Sequence, residues 1–226
     1  MTILGIFGDS WPQGSELQPG EKNYGTLLAE MLPAQKVYNH AAPGSSLTHL
    51  VVQLRNFLDQ TRLFRDNGYE HTAVFFLTSQ HRHMSWIDNR WWFWTPTGAA
   101  GPPGHDRDLA TRCNEMHYKY FDSAPDTALR INTTVLTCQA ICKKYRIKDY
   151  YIAGYQNFDF WPEVDLTTIY GQGQRSLKDD LGFDMALKRD FNGQDQNPYV
   201  YPNISHPNQA GHQRIAEILR DFIKNT

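Results

Sequence analysis

The chain has 226 residues, 40% of them hydrophobic and 20% charged, with a formal charge of −2. That length supports one full core, and the composition excludes collagen-like and disordered classes. A charge this close to zero gives no electrostatic reason to expect nucleic acid or an anionic membrane as partner.

In chain order, the first predicted element is a buried strand over 3–7, an uncharged apolar run that stops at Gly8 and leaves Asp9 and Ser10 at its end. A helical pattern over 25–31 follows, then a strand over 36–39, a helix over roughly 47–63, and a strand over 72–77 (TAVFFL) that is apolar on both faces. A helix over 129–145 carries an apolar stripe of Ala128, Ile131, Val135, Cys138, Cys142 and Tyr145, which makes Cys138 and Cys142 core thiols. After it comes a strand over 149–153. The last helix repeats Ile215, Ile218, Leu219, Phe222 and Ile223 at helical spacing, with Asn208 as its N-cap.

Continuous apolar strands alternating with helices predict a parallel sheet covered on both faces. We therefore expect an α/β fold, a flavodoxin-like three-layer α/β/α sandwich of about five strands, formed by a single domain over 1–226. Two stretches break the repeat, 84–125 (rich in Trp, Gly and Pro) and 157–201 (polar), and both are expected as long loops over the carboxyl edge of the sheet. The odd cysteine count, the absence of an apolar run near the roughly 18 residues of a membrane helix, and an N-terminus unlike a signal peptide predict a cytoplasmic protein.

A serine at the carboxyl end of the first strand is poorly placed for packing and well placed for attack, although it can equally serve as a helix N-cap. As a nucleophile it needs a base. His206 is the candidate, because it lies in a polar loop that Pro207 and the final helix anchor.

Gly8-Asp9-Ser10, the stretch NHAAPG from Asn39 to Gly44, and His206-Pro207 stand in the order and on the elements of the SGNH or GDSL-type hydrolases, which the chain resembles end to end. The resemblance implies Ser10 as nucleophile, His206 as general base and then acid, and the backbone N–H groups of Ser10 and Gly44 as oxyanion donors. Two departures leave alternatives. The family's third block offers an Asn donor, where this chain has Leu77-Thr78-Ser79-Gln80-His81, so Gln80, Ser79 or Thr78 would donate. The family's Asp three residues before the histidine is here Asn203, so His206 is oriented by Asn203, by a backbone carbonyl, or by Asp190 or Asp195.

His81 and Arg82 are expected to line the substrate rim. Zinc would need three or four converging ligands, and neither His81-Arg82-His83 nor His105-Asp106 supplies them, so neither metal nor cofactor is expected. Trp86, Trp91, Trp92, Phe93 and Trp94 read either as a sugar-stacking wall or as a satellite core that anchors their loop. A nucleotide-binding role would need a phosphate loop, and Trp11-Pro12-Gln13 is a poor cradle. Together these readings predict a serine esterase for small acyl esters, O-acetyl groups on carbohydrate included, acting on a small-molecule or glycan substrate. The competing expectation is a binding module on the same scaffold with weak or lost catalysis.

Overall fold

The structure is a computed structural model that describes residues 2–87, 90–95, 98–100, 107–120, 123–182, 199 and 206–226. Four parallel strands form its central sheet in the order β2-β1-β3-β7, where β1 is Thr2–Phe7, β2 Lys36–Asn39, β3 Glu70–Leu77 and β7 Ile147–Ala153. Side chains alternate across this sheet, as extended strands require. Ile3, Phe7, Phe75, Leu77 and Tyr151 enter one core under α3 (His49–Gln60) and α6 (Ala124–Tyr145). Leu4, Ile6, Val74, Phe76 and Ile152 enter the other, under α2 (Tyr24–Met31) and α8 (Gln209–Asn225). On the α3/α6 side three rings stack across adjacent strands: Phe7 on Phe75 at 4.7 Å and Phe75 on Tyr151 at 4.8 Å. Both layers of helices are thus held by the same sheet, and the fold is the expected α/β sandwich.

Three expectations change. Among the described residues the sheet has four strands, where about five were expected, and those after β7 pair with its edge at the isolated bridges Tyr151 to Ile169 and Ala153 to Ser176 instead of as a further strand. The described part of the second insertion, with 3₁₀ turns at Leu166–Thr168 and Tyr170–Gly173 and a short helix α7 (Leu177–Asp180), therefore runs along the β7 edge. It is fixed there to α6, whose Asn132 Nδ2 donates to Asp159 O and Gln139 Nε2 to Asp165 O.

The helix expected over 47–63 is two helices, α3 and α4 (Arg62–Asp66), parted at Thr61. There Phe57 O accepts from both the N–H and the buried hydroxyl of Thr61, at 2.9 and 2.7 Å, a back-bond of the kind that bends helices. Within 84–125 the chain is not a plain loop: β4 (His83–Ile87), β5 (Arg90–Thr95) and β6 (Gly98–Ala100) form an antiparallel sheet, followed by α5 (Arg107–Tyr120). This small sheet leaves the main one at the carboxyl end of β3, and the Tyr118 hydroxyl of α5 donates to His81 O.

Candidate active site

Strand β1 stops at Phe7 because the backbone turns at Gly8, whose φ is +144°. A Cβ there would stand 2.7 Å from both Phe76 Cβ and Pro12 Cγ, so only glycine fits the corner. Asp9 then caps the one-turn helix α1 (Ser10–Gln13), its Oδ1 accepting from Trp11 N at 3.0 Å. The cap is Asp9, and Ser10 is the first helical residue. Ser10 is 7% exposed at the carboxyl end of the sheet.

The opposite wall comes from the far end of the chain. Asn208 caps α8 by accepting from Gly211 N, and its own N–H donates to Tyr199 O. One turn on, His212 Nδ1 accepts from Tyr24 N at 3.2 Å and fastens α8 to α2. This anchoring brings His206, 196 residues away in sequence, to Ser10: Nε2 and Oγ are 2.9 Å apart. A hydroxyl at that distance from an imidazole nitrogen can hand over its proton as it attacks.

Asp9 is completely buried and its carboxylate is heavily solvated by protein. Its Oδ2 accepts from Thr78 Oγ1 at 2.6 Å, Arg82 Nη1 at 2.5 Å and the Tyr155 hydroxyl at 3.0 Å. Burial by itself lowers the Arg82 pKa, but the Asp9 carboxylate and Tyr155 beside it more than offset that and leave it raised. Burial, and then the Asp9 charge, push the Tyr155 hydroxyl well above its ordinary value, so it stays a donor. The ends of β1, β3 and β7 meet on this one carboxylate.

Arg82 therefore spends one guanidinium nitrogen on Asp9 and Thr78, with its side chain 21% exposed. Gln80 Nε2 and His81 Nε2 face each other at 3.2 Å on the rim. Gly44 sits in a turn at φ +76° that Ser45 N closes onto Ala42 O. Asn39 Nδ2 donates to Pro12 O at 2.7 Å, and Ala42 N donates to Gly8 O, so the second block is bonded directly to the first. Asn203, Asp190, Asp195, His105 and Asp106 lie outside the described residues. Trp92 and Trp94 stack at 5.7 Å, and Trp94 is buried. Among the described residues, no group of three or more His, Cys, Asp or Glu could hold a metal ion. Nor, among them, is any helix long and apolar enough to cross a membrane.

Thr78, expected as one of three alternative oxyanion donors, gives its hydroxyl to Asp9, and neither Tyr155 nor Gln53 is singled out by the sequence. Gln53 carried a legible signal, an amide on the helix face that Leu50, Leu54 and Phe57 otherwise fill. Tyr155 carried none beyond its place just after a strand.

No family model matches the chain, and no curated protein does. Solved structures do match over nearly the whole length. TesA superposes with a TM-score of 0.51 at 12% identity, covering 100% of this chain and 99% of its own. The psychrotrophic esterase EstA from Pseudoalteromonas sp. gives 0.47 at 14%, covering 99% and 97%. A member of the lipolytic protein G-D-S-L family from Veillonella parvula gives 0.44 at 11%, covering 100% of both.

Proposed function

This chain has the fold of the SGNH/GDSL-type hydrolases, and from that premise we propose that it is a serine esterase acting through an acyl-enzyme. The observation that carries the reading is the 2.9 Å contact between Ser10 Oγ and His206 Nε2.

Ser10 Oγ attacks the ester carbonyl carbon while its proton passes to His206 Nε2, and the carbonyl π pair moves onto oxygen. The N–H groups of Ser10 and Gly44 hold that oxyanion, with Gln80 or a neighbour as a further donor. When the tetrahedral species collapses, the C–O bond to the leaving group breaks and the leaving oxygen takes the proton from His206. Water repeats the sequence on the acyl group: its proton goes to His206, the acid departs, and Ser10 Oγ recovers its hydrogen. Donors aimed at the developing charge typically contribute about 3 kcal/mol each to the barrier.

Small acyl groups, acetyl on carbohydrate among them, are the substrate class we assign, handled by one hydrolase domain over 1–226 in the cytoplasm. His81 at the rim contacts the substrate. Hydrolysis of p-nitrophenyl acetate, butyrate and octanoate by the wild type, Ser10→Ala and His206→Ala tests the reading. Either substitution is expected to remove at least about 10³-fold of kcat, as triad deletions do. Equal rates in all three proteins would overturn it and leave a binding module on this scaffold.

A further inference from the structure

Helix α3 sends one buried amide to the two segments that carry the oxyanion donors. Gln53 is 2% exposed. Its Oε1 accepts from Gly8 N at 2.8 Å, while Nε2 donates to Gly8 O at 2.8 Å and to Ser45 Oγ at 3.1 Å. Ser45 Oγ lies in turn 2.8 Å from the Nδ1 of His49, one turn back on the same helix. Gly8 stands two residues before Ser10, and Ser45 directly follows Gly44.

The position itself does not ask for a polar residue. Leu50, Leu54 and Phe57, its neighbours on that helix face, are all 0% exposed, and an apolar side chain would pack among them at no desolvation cost. What asks for the amide is the backbone of Gly8, which leaves the sheet at this corner, together with the hydroxyl of Ser45. A primary amide offers a donor and an acceptor side by side, so it pairs with the N–H and C=O of Gly8 as a neighbouring strand would. Its second hydrogen then reaches the Gly44 turn, whose own closing bond is the one from Ser45 N to Ala42 O.

Resting on the esterase reading above, we propose that Gln53 is a positioning residue: through Gly8 and Ser45 it fixes the separation and aim of the Ser10 and Gly44 N–H groups that hold the oxyanion. Two loops that moved independently would blur that geometry, and misplacement by about 1 Å can cost roughly 10²-fold in rate. The clamp acts on the transition state and leaves ground-state binding alone, because the oxyanion exists only there.

The test compares wild type, Gln53→Met, Ser45→Ala and the double variant. Four quantities are read: kcat and KM on p-nitrophenyl acetate, the inhibition constant of phenylboronic acid, and the melting temperature. The boronate forms a tetrahedral adduct on Ser10 and places an oxygen between the same donors. Gln53→Met is expected to lower kcat about 10²-fold with KM within about twofold, and to weaken the boronate by a similar factor. Ser45→Ala, which cuts one arm only and carries the test if Gln53→Met does not fold, should lose about 10-fold. The double variant should be no worse than Gln53→Met, since both changes break one connection. Folded single variants with wild-type kcat and boronate affinity would overturn the clamp, as would losses that multiply in the double variant. Ser10→Ala is the separate control: if it retains wild-type activity, the nucleophile assignment has failed. If it is inactive while Gln53→Met is unimpaired, the clamp alone has failed.

Discussion

Asp9 holds Arg82, the residue expected to line the substrate rim, in an ion pair. A carboxyl group with no exposed surface needs its oxygens hydrogen-bonded, and four donors do this for Asp9, from Trp11, Thr78, Arg82 and Tyr155. Removing one partner of a buried ion pair typically costs about 3 to 5 kcal/mol. Arg82 is one-fifth exposed and three other donors remain, so Arg82→Met is expected to cost about 2 kcal/mol in urea denaturation. It should also lower kcat equally on neutral and anionic esters, since Asp9 caps the turn that presents Ser10. A loss confined to anionic esters, in KM, would instead place Arg82 against substrate, the role the sequence suggested. Ser10 and His206 were readable because each sits in a short local signature, a Gly-Asp-Ser after a strand and a His-Pro before a helix. The network behind them was not, because its members are far apart in sequence: Gln53 is 45 residues from Gly8, and Tyr155 is 146 from Asp9. Arg82 was noticed for its charge, yet a charge says nothing of which neighbour it will meet.

The elements with strong periodicity came through, and those whose shape depends on a partner did not. Buried strands β1 and β3 announce themselves by apolar runs and helix α8 by a 3.6-residue stripe, while β2 (KVYN), none of whose residues is buried, and β7, with Lys148 and Asp149 in it, carry weaker patterns. The Trp-rich β4-β5-β6 sheet has no such pattern in a stretch crowded with Gly and Pro, and the expected fifth strand had no run of its own beside the four at 3–7, 36–39, 72–77 and 149–153. Strand β7 carries a polar exception of its own: Asp149 occupies a strand position close to Cys138 and Cys142. Burial pushes its carboxyl up to about 6, with the charge of Asp165 acting in the same sense. Because the folded pKa lies above the unfolded value of 3.8, the folded state holds the extra proton between those limits. Asp149 therefore weakens the fold progressively as pH rises through 6. Asp149→Asn should raise stability by about 1 to 2 kcal/mol at pH 7.5 and change it little at pH 4.5. Urea titrations at the two pH values measure the difference; an equal effect at both would mean that the carboxyl titrates normally.

Taken as a whole, the molecule is joined through neutral imidazoles, and that sets its response to acid. His212 ties α8, and with it the His206 loop, to α2 by accepting from Tyr24 N, which it can do only with Nδ1 unprotonated. His49 ties α3 to the Gly44 turn through Ser45. Burial lowers both to about 4, against an ordinary 6.5; the charges of Glu21 and His206 act on His212 in opposite senses and more weakly. Burial also lowers His40 and His71. For each of these the unfolded state takes up the proton first. For His49 and His212 that stabilisation is present above pH 6.5 and is lost as pH falls towards 4, the reverse of Asp149. At pH 5, His49 and His212 each forfeit about 2 kcal/mol, while Asp149 returns about 1 relative to neutrality, so the histidines win. The denaturation midpoint should therefore fall between pH 7 and pH 5 by the equivalent of about 3 kcal/mol. His212→Asn keeps an acceptor at the Nδ1 position for Tyr24 N but cannot titrate, so it should recover about two-thirds of that loss. A variant whose pH dependence matched the wild type would show that α8 is not the acid-sensitive joint, and would leave His49, bonded to Ser45 beside the Gly44 turn, as the place where acid acts.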